Sequence, residues 1–382
     1  MSFRISNTVI NWSNSAFLIG TALISLTVVP YHIWTVGLDM FQIGMFFVFF
    51  IATGLSITLG YHRLFSHKSF KATWPVRFLT LAFGAATFEN HVLAWASDHR
   101  RHHKHVDHDD DPYDISNGFW HAHIGWILFK KLPEPPWTNV GDLRKDPLVM
   151  WQHNYYIAIA LVVGFVIPTG LGWLHGGAMG AWSGFLIAGV LRVFAVHHMT
   201  FFINSLCHTI GSQPYSSKCS AKDSGIMAIF TFGEGYHNYH HEFQHDYRNG
   251  VKWWQWDPTK WTIWTLSKLG MVEDLRRVDE EKAIAAQLTE AQRRVKAHLE
   301  GSVNRLSERS QELLHASSVR LDELLERWTE LKEHYRHQVD ELKHDYAEKT
   351  DEKLQEARHA LEEMRREVRA AFELLDRLPA AA

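Results

Sequence analysis

Cysteine is scarce: among 382 residues only Cys207 and Cys219 carry a thiol. Two thiols do not make a disulfide framework. Net charge is small as well, −3 with 39 Lys and Arg against 42 Asp and Glu. That balance argues against nucleic acid and against an acidic substrate surface as partners. No secretory leader is evident, because the first apolar run starts near Ala16 without a strongly basic segment before it or a small-residue cleavage site after it. Breakers are missing from the last third. After Gly270 only Gly301 follows, and after Pro258 only Pro379. Fifteen of the sixteen Trp lie before residue 265. The chain therefore reads as two parts, an apolar, aromatic domain over 1–277 and a polar, breaker-poor extension over 278–382.

What the first part has is long apolar runs. A helix crosses a bilayer in about 20 residues, and four runs reach that length, near 14–33, 38–60, 154–174 and 181–205. The turns around Thr35–Leu38 and His175–Gly180 contain no Lys or Arg, whereas the 61–153 segment has eleven, from Arg63 and Lys68 to Arg144 and Lys145. The positive-inside rule then places both termini and that segment in the cytoplasm. A fifth apolar stretch, Val76–Ala96, holds Pro75 at its edge and Glu89, Asn90 and His91 within it. We read it as an interfacial or buried cytoplasmic helix, since a fifth span would put the histidine groups on opposite sides of the membrane. The Trp-dense WWQWDPTKWTIW at 253–264 predicts an interfacial helix. The fold class expected is an all-α integral membrane protein: four transmembrane helices capped by a cytoplasmic histidine-rich domain, with a C-terminal helical tail.

The tail repeats apolar residues at spacings of three and four. Leu321, Leu325, Trp328, Tyr335, Val339, Leu342 and Tyr346 make one seam, and Leu354, Ala357, Leu361, Met364, Val368, Ala371 and Leu375 another. The seams read as a coiled coil that dimerises or recruits a partner; helices folded back on the cytoplasmic face are the alternative.

Histidine is abundant, at 26 residues. Four groups fall on the expected cytoplasmic side: HRLFSH with His62 and His67, HRRHH with His99, His102 and His103, NSLCH with Asn204 and His208, and HNYHH with His237, His240 and His241. Positions i, i+3 and i+4 share a helix face, so each HxxHH triplet projects together, as do Asn204 and His208. His62 and His67, five apart, converge only if the helix ends or bends between them. Nine imidazoles exceed the needs of one metal; two ions would receive four or five each. Imidazole suits iron, zinc and copper, and a membrane site with exchangeable positions fits redox iron.

The chain resembles the membrane-bound acyl-CoA desaturases, the stearoyl-CoA Δ9-type branch of the histidine-box fatty-acid desaturases. The likeness covers about residues 10–275 and rests on GYHRLFSHKSF (60–70), WASDHRRHHKHVD (95–107) with DPY (111–113), GWILFKK (125–131), NSLCHTIGSQPY (204–215) and GEGYHNYHHEF (233–243) running into DYRNGVKWWQWDPTKW (246–261). It implies two iron ions held by His62, His67, His99, His102, His103, His208, His237, His240 and His241, with Asn204 acting on the second ion through water. It also implies O2 as co-substrate and a cis double bond placed, most simply at Δ9, in a saturated C16–C18 acyl-CoA. Lys130 and Lys131 stand where the family meets the CoA phosphates; an ordinary interfacial basic pair is the alternative. Phe46 and Phe50 lie 16 and 12 residues before His62, about 24 and 18 Å deeper, on the face that closes the acyl tunnel in the family; lipid-facing packing is the alternative. Thr200 and Phe201 are expected to line the tunnel near its bend. Asp98, Asp107 and Glu234 are candidate partners for the second ring nitrogen of ligand histidines, and Asp109, Asp110 and Asp111 share that possibility. His105 and His108 break the ligand face and read as outlying residues.

No haem-binding HPGG motif occurs in the sequence, so a separate donor, ferredoxin-like or cytochrome b5-like with its reductase, is expected. Membrane lipids and a homo-oligomer or partner through 285–382 complete the expected partners. Rival readings are an acyl-lipid desaturase, another histidine-box oxidase such as an alkane hydroxylase, and a non-catalytic membrane metal-binding scaffold.

Overall fold

The computed structural model describes residues 8–131 and 136–302, with isolated positions beyond them. The chain divides into two units, Met1–Gln213 with Lys218–Arg277, and Pro214–Ser217 with Val278–Ala382.

Helices dominate the first unit. Among the described residues three helical runs are long and apolar enough to cross a membrane: α1 (Trp12–Val36), α2 (Met40–Ser66) and α5 (Pro147–His208). Between α2 and α5 stand α3 (Trp74–Ala85) and α4 (Val92–His105); after α5 come α6 (Gly225–Phe230), α7 (His237–Glu242) and α8 (Pro258–Lys268). Asp39 starts α2 with a reciprocal cap, its carboxylate accepting from Gln42 N–H while the Gln42 side chain accepts from Asp39 N–H.

The 62 residues of α5 do not form one rod. Gly176 and Gly177 leave helical geometry, and Gly177 has φ +58°, a conformation that favours glycine. The chain doubles back there, and the two arms approach so closely that a Cβ on Gly172 would run into the Gly180 carbonyl, and one on Gly184 into that of Pro168. His175 Nε2, beside the reversal, lies 2.7 Å from Asp39 Oδ2 at the start of α2.

The fifth apolar stretch is not continuous. It breaks between Ala85 and Val92, where Phe88 and Asn90 take positive φ. The 12-residue α3 is about 18 Å long, too short to span a bilayer. Side chains from α5 hold the break: Arg192 donates to the carbonyl oxygens of Ala86 (2.5 Å) and Gly164 (3.0 Å), and His197 Nε2 bonds Thr87 O at 2.7 Å. A buried guanidinium in an apolar helix is thus satisfied by backbone carbonyls.

Two short antiparallel pairs join distant segments. β1 (Thr8–Ile10) pairs with β3 (Phe129–Lys131), Thr8 opposite Lys131 and Val9 opposite Lys130; β2 (Lys71–Ala72) pairs with β4 (Val272–Glu273). The largest apolar core, including Ile57, Tyr61, Leu81, Leu93 and Ile263, sits where α2, α3, α4 and α8 meet. Trp253, Trp254, Trp256, Trp261 and Trp264 are exposed on and before α8.

In the second unit the described helix is α9 (Glu280–Ser302), where Glu290 accepts from Arg293 and Arg294 and from Ser217. The two heptad seams, Leu321–Tyr346 and Leu354–Leu375, lie outside the described residues.

Candidate metal centre

His62 and His67 come from the last turns of α2. Over Ser56–Ser66 the helix winds wider, with i to i+5 hydrogen bonding, and His67 N–H donates to His62 O at 3.1 Å. That winding puts residues five apart on one side, so their rings stand 4.8 Å apart. Widened turns of this kind recur at functional sites. His99, His102 and His103 project from α4, and His237, His240 and His241 from α7. His208 ends the short turn after Ser205. Asn204 is half-buried in the turn before it.

The nine imidazoles fall into two groups. His62, His67, His99, His103 and His240 form one, and His102, His208, His237 and His241 the other, with the ligand atoms of each within 4.8 Å of one another. The Nε2 atoms point inward at each other. In the first group His67 and His99 approach to 2.7 Å, and His240 stands 3.0 Å from both His62 and His103. In the second the distances are 3.1 Å for His208–His237, 3.1 Å for His237–His241 and 3.3 Å for His102–His241.

In each group one ring has a carboxylate facing its Nδ1. His102 Nδ1 lies 2.8 and 2.9 Å from the two oxygens of Asp111, and His62 Nδ1 lies 2.9 Å from Glu234 Oε2. Facing a carboxylate fixes the proton on Nδ1 and turns the Nε2 lone pairs into the shared space. Converging buried lone pairs are costly unless a cation receives them. Two nitrogens bound at right angles, each about 2.1 Å from an ion, are about 3.0 Å apart, the spacing seen here. The donor set therefore fits metal ions, and all-imidazole coordination fits a borderline transition metal. Burial, reinforced by neighbouring imidazoles, holds His99, His103, His237, His240 and His241 well below the usual histidine range. They are thus neutral and able to ligate.

The outlying acids sort themselves by geometry. Glu234 joins His62 to Arg63, whose Nε and NH2 donate to Oε1 at 3.1 and 2.8 Å. Arg63 also donates to Asp257, which caps α8 through Lys260 N–H. Asp107 reaches a ligand only indirectly: Ser220 Oγ donates to it at 2.5 Å and accepts from His208 Nδ1 at 2.7 Å. Asp98 pairs with Arg101 at 3.0 Å. The direct partner in the aspartate run is Asp111. The left-handed Asp107 (φ +64°) turns the chain after α4, and Asp107 N–H donates to the returning Asp111. Ring spacing alone does not distinguish these four aspartates. Nor does it single out Tyr113, whose hydroxyl is 3.2 Å from His99 Nδ1, or Trp95, which stacks on His99 at 4.9 Å.

Of the remaining expected residues, Phe46 and Phe50 are half-buried and stacked at 5.7 Å, with Phe46 packed on Val29, Leu186 and Ile187 and Phe50 against Phe232. The exposed face of α2 carries Phe47 and Val48 instead. Thr200 donates to Glu89 Oε1 at 2.9 Å, and Trp95 Nε1 donates to Oε2 at 3.3 Å. Burial pushes the Glu89 carboxyl up to about 8. Phe201 is buried against His197 and His123. Lys130 and Lys131 are placed by the β1–β3 ladder. Cys207 is buried, and burial raises Cys219 above the usual thiol value.

A family model described as fatty acid desaturase matches residues 41–270. The chain is 41% identical over 268 residues to a probable acyl-CoA desaturase of Schizosaccharomyces pombe, covering 70% of this chain and 54% of that protein. It is 40% identical over 296 residues to acyl-CoA desaturase 1 of Saccharomyces cerevisiae, covering 75% and 56%. It is 34% identical over 281 residues to the sn-1 stearoyl-lipid 9-desaturase of Anabaena variabilis, covering 72% and 96%. The chain spans about half the length of the two fungal relatives.

Proposed function

Given that the chain belongs to the fatty acid desaturase family, we propose that it is an O2-dependent diiron desaturase placing a cis Δ9 double bond in saturated C16–C18 acyl-CoA. The observation that carries this reading is the pair of converging imidazole groups, five and four, in a chain whose fungal relatives are named acyl-CoA desaturases.

The chemistry requires such a centre. A chain methylene has neither an acidic hydrogen nor a leaving group, so side-chain acids, bases and nucleophiles do not break its C–H bond; a cofactor must. Two bound iron ions supply O2 activation. Dioxygen accepts four electrons, two from the acyl chain and two from the donor, and leaves as two waters. His62, His67, His99, His103 and His240 hold one ion; His102, His208, His237 and His241 hold the other, with Asn204 reaching it through water. Glu234 and Asp111 keep their histidines in the ligating tautomer. Phe46, Phe50, Thr200 and Phe201 line the acyl channel and fix which carbons face the metals. Lys130 and Lys131 meet the CoA phosphates.

α1, α2 and the two arms of α5 serve as four spans, with the histidine-rich domain and both termini cytoplasmic. Electrons come from a separate ferredoxin-like or cytochrome b5-like donor. The 278–382 extension joins two copies; deleting 285–382 then lowers the oligomeric mass, and an unchanged mass contradicts it.

One observation favours a second carrier. The chain covers 96% of a relative named for stearoyl-lipid, so a glycerolipid-bound acyl chain is the alternative substrate. The test is fatty-acid profiling of a host expressing the intact chain, H102A or H240A. New unsaturated acids with the intact chain alone support the reading; metal binding without new unsaturation contradicts it.

A further inference from the structure

The two histidine groups differ in the charge that stands behind them. In the five-histidine group the carboxylate against His62, Glu234, shares its charge with the guanidinium of Arg63. Its second oxygen also accepts from Asn249 Nδ2 at 2.6 Å. Asp257, on the other side of Arg63, accepts from the same guanidinium and from Lys260 N–H, so one guanidinium joins the two carboxylates. His99 Nδ1 in the same group faces the neutral Tyr113 hydroxyl.

In the four-histidine group both oxygens of Asp111 bear on His102 Nδ1, and their remaining partners are the backbone N–H groups of Asp107 and Tyr113. Among the described residues no Lys or Arg pairs with Asp111. A second carboxylate, Asp107, acts on His208 through Ser220. Two of four ligands are therefore backed by uncompensated carboxylate charge. In the other group it is one of five, and that carboxylate is paired with Arg63.

A carboxylate on Nδ1–H makes an imidazole a stronger donor to its metal, and negative charge close by favours the more highly charged ion, most strongly from Asp111, which is buried where Asp107 is half-buried. We propose that Asp111 and Asp107 lower the potential of the four-histidine site, so that its ion loses the first electron and is the ferric one in the half-oxidised pair. The inference rests on the diiron reading above. Each ion gives up one electron in turn, received by a one-electron chemical oxidant.

The test is a redox titration of the full-length, iron-loaded, 57Fe-labelled protein, followed by Mössbauer spectroscopy. Wild type should oxidise in two separate steps. D111N should move the lower potential upward and leave the upper one in place, and D107N should do the same to a smaller degree. E234Q should move only the upper step. Should D111N fail to hold two ions, D107N carries the test, since it reaches the ligand only through Ser220. A single two-electron step in wild type, or movement of the upper step by either aspartate variant, overturns the inference. Protein that folds but binds no iron fails the diiron reading itself, a result separate from two equivalent iron sites.

Discussion

The Nε2 atoms of His67 and His99 lie 2.7 Å apart. One imidazole comes from the end of α2 and the other from the middle of α4, so helices that meet through the core deliver lone pairs to one point. Such an approach is repulsive without a cation, which makes the centre dependent on metal for stability as well as for chemistry. Chelating the metal from the purified protein should lower its melting temperature, and adding iron back should restore it. H67A and H99A should each reduce bound iron towards one ion per chain and end desaturation. Iron analysis with melting curves measures both; undiminished iron in either variant contradicts the assignment.

Glu89 sits between Trp95 and Thr200 with its pKa raised to about 8 by burial. Its unfolded value is near 4.5. Between those values the folded state holds a proton that the unfolded state has lost, so the stability of the fold falls as pH rises through that window. E89Q keeps the shape without the charge. It should flatten the decline in melting temperature between about pH 4.5 and 8; an unaltered slope across that window contradicts the role given to Glu89.

Phe46 and Phe50 stack on the inward side of α2 rather than on its exposed face. If they close the acyl channel, the F46A/F50A double variant should accept chains longer than wild type does, while the shorter substrates still react. Product chain-length analysis checks this, and an unchanged profile contradicts it.

The arms of α5 meet through glycines, where a Cβ on Gly172 would strike the Gly180 carbonyl. G172V should separate the arms and destabilise the protein by about 1–3 kcal/mol, the usual cost of overpacking. Gly170, with open space around it, is the control: G170A should cost little. Equal melting temperatures for the two variants contradict the close packing.

Arg63 is buried between Glu234 and Asp257. Removing one member of a buried ion pair leaves uncompensated charge at a cost of about 3–5 kcal/mol. R63M should therefore unfold at markedly lower denaturant concentration than wild type, and an unchanged midpoint contradicts the pairing.

Helical period and motif spacing make much of this legible in the sequence. The apolar runs mark the helices long and apolar enough to cross a membrane, and the i, i+3, i+4 triplets at 99–103 and 237–241 mark one face each. What spacing does not carry is local winding. His62 and His67 share a face only because α2 widens at its end. The fifth apolar stretch is interrupted by positive φ at Phe88 and Asn90; asparagine tolerates that region, but nothing about a phenylalanine signals it. Among the adjacent aspartates, Asp111 rather than Asp107 meets a ligand because a left-handed residue reverses the chain. The partition into five and four depends on how α2, α4 and α7 approach one another, a tertiary fact with no local trace.

Incubating the purified, iron-loaded protein with stearoyl-CoA, O2 and a reduced donor, then locating the double bond by mass spectrometry, bears most directly on the central claim. One cis double bond between C9 and C10 of the CoA thioester is the expected product, lost in H102A and H240A. A hydroxylated product, or O2 consumption that leaves the chain saturated, would contradict it.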